Sequence, residues 1–291
     1  MGYLSDCSDC EEIVKRFLNE LRIDIEELVE LPLGKDTRHH EPEINHVNAY
    51  KISTAVYGLL WAKRFGIEKC TAPGKSGFYL KSASNICYYS GETLNSYKTV
   101  FGGSKLDALK EKVFLRGNYH TIANFMPFPV VTYGRKIRSL NQWKGIGGIG
   151  GIGDFMDLFL MLVKVFFDNG MKHGWTNCIQ EKYLPDNNDL KAWKIEAWKT
   201  GTEKVFNANK ETYFEKFADF SDYCKSNYLS MYRNNEGDID SFIPFSENHR
   251  IYKPFPSGAE REEAAIKYVE WMLTKKKERA KDMAVELSKI I

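Results

Sequence analysis

The stretch RGNYHTIANFMPFPVVTYGRKIRSLNQWKGIGGIGGIGDFMDLFLMLVKVFF, residues 116 to 167, limits the fold of this chain more than any other. It passes from an extended segment rich in β-branched and aromatic residues, through a basic loop and a glycine repeat, into the most apolar helix of the sequence. The remaining segments are amphipathic and need such a surface to bury against. Its apolar run from Phe155 to Phe167 is thirteen residues and carries Asp157 and Lys164, whereas a membrane span needs about 20 residues. A buried helix is therefore expected, not an anchor. The expected class is α+β and mainly α-helical, with helices packed around this one central apolar helix and a small antiparallel β element beside them.

The segments on either side supply the packing partners. Asp9 followed by Glu12 has the spacing of a capping box, and Ile13, Phe17, Leu21, Ile25 and Leu28 recur at helical intervals, which predicts a helix from about Cys10 to Leu31. Pro32 and Gly34 end it. Val47 to Phe65 resumes a helical pattern, with Tyr50, Val56, Leu59, Leu60 and Ala62 able to share an inner face. GFYLK and NICYY flank residues 82 to 84 and read as a short antiparallel pair, while Pro127 and Pro129 argue against a central strand where they stand. Asn169-Gly170 is a stop signal for the central helix. Residues 202 to 208 form a short helical candidate, and Tyr213, Phe214, Phe217, Phe220, Tyr223 and Tyr228 predict a helix or helix pair pressed onto a core. Ser257 with Glu260 opens a final helix of roughly thirty residues. One globular domain over residues 1–291 is expected, with residues 1–115 as its N-terminal part and 154–291 as its C-terminal helical part.

Charge and cysteine usage narrow the setting. Forty-one Lys and Arg against thirty-nine Asp and Glu leave a formal charge of +2, too little for a whole-molecule field that collects nucleic acid. Any polyanion site must be a local patch, so nucleic acid stays open as a partner class. Residues 1 to 12 lack both the basic start and the apolar run of an export signal. Six cysteines with one close pair give no disulfide framework and suit a reducing cytoplasm.

Several groups of residues could carry chemistry. His120, Asn124 and Asn141, with Arg116 and Arg135 near them in sequence, form the most interesting polar set. The run His-Thr-Ile-Ala-Asn-Phe and the later Leu-Asn resemble the second half of His-Asn-His endonuclease domains. That resemblance implies a His that activates water, and an Asn that helps position a divalent ion at a phosphoester. Gly145 to Gly153 contains the pattern GxGxxG twice, at a helix start where amides can hold phosphate. The buried strand that a dinucleotide site needs is missing before it, and Asp154 and Asp157 suit a structural cap better. His39, His40, Glu41 and His46 are the densest potential metal ligands, but adjacent histidines point apart, and a solvated loop accounts for them. Cys7 and Cys10 make one CxxC without the second pair of a zinc ribbon, and read as ordinary thiols at a helix start. Lys275, Lys276, Lys277 and Arg279, with Trp271 beside them, give the last helix a basic flank that could bind a partner. No cofactor or metal is expected.

Taken along its length, the chain resembles a bacterial family classed only as a domain of unknown function. The residues that carry the resemblance are Ile23-Asp24, Gly34-Lys35-Asp36, Leu59-Leu60-Trp61-Ala62-Lys63, Gly77-Phe78-Tyr79-Leu80, Tyr119-His120-Thr121-Ile122-Ala123, Pro129, Asn141 to Gly145 and Phe155-Met156-Asp157-Leu158. Phe242-Ile243-Pro244-Phe245 and the long charged final helix also fit. Ala123-Asn124 stands where that family has a glycine pair, and the glycine repeat is an insertion. The resemblance implies one continuous domain and no assigned activity.

The expected function is that of a non-enzymatic cytoplasmic protein that binds another protein, with a second copy of itself among its partners and no membrane. Abundant aromatic residues and a long amphipathic terminal helix point that way. Antagonists of a host defence complex, carried by phages and other mobile elements, share this profile. The alternative is a metal-dependent nuclease or other phosphoester hydrolase built on His120 with Asn124 and Asn141.

Overall fold

A computed structural model describes residues 9–31, 46–65, 69–70, 78–79, 85–90, 121–129, 131–133, 136–138, 156–173, 203–240 and 259–291. Asp9 opens the first helix, α1 (Cys10–Leu21), where its side chain accepts the Glu12 amide at 2.9 Å. Such a cap satisfies one of the amides that a helix start leaves unpaired. Ile13, Val14 and Phe17 form the buried stripe of α1. The apolar spacing that predicts a single helix to Leu31 is interrupted. Arg22 adopts a left-handed conformation at φ 55° and closes α1, and Asp24 starts α2 (Ile25–Glu30) through a capping box with Glu27. Re-capping lets the chain turn, so that Leu28 and Val29 bury from a second direction.

The third helix, α3 (His46–Phe65), packs against α1. Its inner face differs from the one read off its periodicity. Ile52, Ala55, Val56, Tyr57, Trp61 and Phe65 are buried, Leu59 and Leu60 are half-buried, and Ala62 is exposed. More than one element covers this helix, so burial spreads around residues 52 to 57 and no single stripe forms.

Short strands follow. β1 (Lys69–Cys70), β2 (Phe78–Tyr79), β3 (Asn85–Ser90) and β4 (Phe125–Pro129) pair antiparallel in that order, and β5 (Val131–Tyr133) pairs with β6 (Lys136–Arg138). Pro127 and Pro129 lie opposite Tyr88 and Ile86 on β4, at one end of the strand order among the described residues. An end strand tolerates residues that have no amide to donate. A single 3-10 turn, Ile122–Asn124, leads into β4, and Thr121 to Asn124 are buried.

Helix predominates among the described residues. In α4 (Met156–Val165), Met156, Asp157, Leu160, Leu162 and Val163 are buried. Asn169-Gly170 does not stop this helix, contrary to the reading of that pair. The chain passes through a π turn, Phe166–Gly170, and continues as Met171–His173. The wide turn accommodates the glycine inside the helix, and Phe166 and Phe167 pack on neighbouring rings there. Residues 203–208 form α5. The aromatic segment after it is not one continuous helix or a pair. It is built from a 3-10 turn (Phe214–Lys216), α6 (Phe220–Ser226) capped by Asp219, and a 3-10 turn (Ser230–Tyr232), with Tyr228 at φ 56° just past α6. Its rings still bury: Phe65 stacks on Tyr213 at 5.5 Å, and Phe166 meets Phe214 edge-on at 4.8 Å.

The last helix, α7 (Ala259–Leu287), is 29 residues long and packs against α2, α3 and the turns Ile122–Asn124 and Ser230–Tyr232. Among the described residues, no helix is long and apolar enough to cross a membrane.

Candidate functional site

The α7 stripe that faces inward contains Met272, Lys276, Arg279, Ala280, Met283, Ala284 and Leu287. Steps of three and four residues put these on one side of a helix. All but Lys276 and Arg279 are apolar, and Arg279 is 1% exposed. Its guanidinium donates from Nη1 to the Ala123 carbonyl at 2.7 Å, and from Nη2 to the Tyr57 hydroxyl at 2.9 Å and the Asn227 carbonyl at 3.2 Å. One side chain thus ties α7 to α3, to the turn Ile122–Asn124 and to the end of α6.

Each partner is placed by local structure. Asn227 is the C-cap of α6, where the last carbonyls of the helix carry partial negative charge and attract a cation. Its side chain donates back to the Tyr223 carbonyl at 2.9 Å. Tyr57 comes from the buried middle of α3 and donates its own hydroxyl to the Ile122 carbonyl at 3.2 Å. Trp61, one turn further on, reaches the Ser226 carbonyl at 3.2 Å through Nε1. Next along α3, Arg64 grips Asp222 with two bonds of 2.8 Å and the Lys216 carbonyl with one of 2.7 Å. One face of α3 therefore anchors the whole of α6.

These surroundings fix what the cluster can do. Burial pushes the Tyr57 hydroxyl up, and the nearby Arg279 charge opposes this without cancelling it. Burial also raises Tyr223 and Tyr213. A guanidinium keeps its proton, and tyrosines held above their ordinary range do not give theirs up at neutral pH. The cluster holds α3, α7, the end of α6 and the turn Ile122–Asn124 together.

Only some of the residues singled out from sequence fall among the described residues. His120 and Asn141 lie outside the described residues, as do Arg116, Arg135, His39, His40, Glu41 and the glycine repeat. Asn124 is 4% exposed, and its amide closes the turn onto the Thr121 carbonyl at 3.0 Å. On α7, Trp271 is half-buried edge-on to Tyr232 at 5.6 Å. Lys275 lies over the Trp271 ring at 5.8 Å and pairs with Asp240 at 2.7 Å. Lys276 and Arg279 are buried, and Lys277 is exposed. The basic flank is thus not one solvated face: two of its members point into the protein. Tyr57 and Asn227, which complete the cluster, carried no signal in the sequence, since neither stands in a motif.

Cys10 is not an ordinary thiol, correcting that reading: it belongs to a disulfide whose other half lies outside the described side chains. It is the first residue of α1. Cys224 is a free, buried cysteine. Among the described residues, no group of three or more His, Cys, Asp or Glu side chains is arranged to hold a metal ion. Comparison with known proteins finds no matching family model, curated protein or solved structure.

Proposed function

We propose that this chain acts by binding another protein, without chemistry of its own, and that the outward side of α7 meets the partner. One observation supports the reading above others: α7 is fastened along its inner stripe by a buried guanidinium, while Thr274, Lys277, Glu278, Lys281, Asp282 and Val285 stand outside. A recognition helix held rigid before contact loses little freedom on binding. Val285 is 59% exposed and offers an apolar contact inside a rim of mixed charge, the usual layout of a small interface.

In this reading Trp271 and Lys275 border the contact, Lys277 belongs to it, and Lys276 and Arg279 support it from beneath. The buried helix α4 is the spine of one undivided body. The partner is a host defence complex if a phage or mobile element carries the gene, and a second copy of the chain is the other partner to test. Light scattering and pull-down from a host lysate, with wild type beside the Lys277→Glu/Val285→Asp double variant, decide it. Wild type is expected to retain a partner or a second copy, and the variant to lose it with an unchanged circular dichroism spectrum. A strict monomer that retains nothing, or a partner held equally by the variant, overturns the reading.

A further inference from the structure

We propose that the Arg279 cluster is a binding site for a small monovalent anion of halide size. Arginine stays protonated in proteins, so Arg279 brings a full positive charge to a position 1% exposed. A charge buried this deeply is ordinarily matched by an opposite one. Here all three acceptors are uncharged: the carbonyls of Ala123 and Asn227 and the Tyr57 hydroxyl. Asp282 and Glu286 follow on the same helix, and among the described residues neither forms an ion pair with Arg279.

Two polar atoms left over around Arg279 are able to donate. Arg279 Nε and Thr121 Oγ1 are buried groups able to donate, and among the described residues no acceptor meets either. Thr121 begins the turn whose Ala123 carbonyl Arg279 holds. Asn227 Oδ1, an acceptor, is also without a hydrogen-bond partner among the described residues. A free donor on a buried cation that partial charges hold, but that no carboxylate among the described residues pairs with, points to an anion. Water would satisfy the donors and leave the charge unmatched. Size limits the choice further, because Tyr57 and Asn227 are fully buried and Thr121 is 1% exposed.

The inference stands apart from partner binding and is tested without a partner. Thermal unfolding is followed at constant ionic strength while sodium gluconate is replaced stepwise by chloride or bromide, since a ligand of the folded state raises the melting temperature in a saturable way. Wild type is expected to show that rise, Arg279→Met to lose it, and Thr121→Val, nearly isosteric, to need several-fold more halide for half the effect. Wild-type crystals grown in bromide give an independent measurement if Arg279→Met does not fold. An anomalous peak at hydrogen-bond distance from Arg279 Nε supports the site. Equal melting in gluconate and halide, an unchanged halide response in Thr121→Val, or no bromide peak at the cluster overturns it.

Discussion

Arg279 Nη2 donates to the Tyr57 hydroxyl across 2.9 Å, joining residues 222 positions apart in the chain. Because Tyr57 then donates to the Ile122 carbonyl and Arg279 to the Ala123 carbonyl, two side chains hold successive carbonyls of one turn. The final helix, the third helix and that turn are coupled through a single pair.

The coupling is measurable by a double-mutant cycle in urea. Tyr57→Phe removes one hydroxyl and is expected to cost about 1 kcal/mol, while Arg279→Met strands two buried carbonyls and is expected to cost about 3 kcal/mol. The double variant should lose less than the sum, by roughly 0.5–1 kcal/mol. Strict additivity would show that the two side chains act independently.

Asp222 supplies a pH-dependent contribution. Burial raises its carboxyl, but the bonds from Arg64, the Ala218 amide and Ser226 together outweigh burial and hold it below the usual carboxylate range. A depressed folded value means stability that is present above the unfolded value of about 3.9 and lost as pH falls through the folded one. Asp222→Asn is therefore expected to be less stable than wild type at pH 7, with the gap closing as the solution is acidified below about pH 4. A gap that stays constant from pH 7 to pH 2.5 would sink this account.

Two backbone positions should respond in opposite senses. Gly237 sits at φ 86°, and an added Cβ would come within 2.8 Å of Arg233 Nη2, so Gly237→Ala is expected to destabilise by about 1 kcal/mol. Arg22 is exposed at φ 55°, a conformation that costs an L-residue roughly 1–2 kcal/mol, so Arg22→Gly is expected to be neutral or stabilising by about 0.5 kcal/mol. Chemical denaturation midpoints compare both with wild type.

Thiol chemistry should separate Cys224 from Cys10. Burial pushes the Cys224 thiol up to about 12, so it is expected to resist alkylation at pH 8 until the protein is unfolded. Cys10 is expected to remain unlabelled without a reductant even in denaturant, and to label after reduction. Peptide mapping by mass spectrometry reads both, and identifies the cysteine joined to Cys10.

Legibility followed the range of the interactions. The Asp9 cap and the length of the last helix rest on neighbours within one turn, and both stand in the structure where their residues indicate. Asp24 and Glu27 carried a readable re-capping signal that the continuing apolar spacing masked. Arg279 was not readable, because a cation inside a charged run looks solvated until distant carbonyls are known to converge on it. The aromatic residues from 213 to 223 were correctly read as core-facing, but their helical spacing concealed a string of tight turns. Of the candidate catalytic set, Asn124 alone falls among the described residues, and its amide serves the turn.

In a regular α-helix, neighbouring side chains diverge by about 100°, so two consecutive phenylalanines cannot both plug one hole. The widened turn at Phe166–Gly170 changes that arithmetic: Phe166 reaches Phe206 and Phe214, while Phe167 touches Phe214, Phe220 and Tyr223. The segment is one residue richer than an ordinary coil would need. Trimming that surplus residue would restore the regular turn and swing one of the two rings out of its socket.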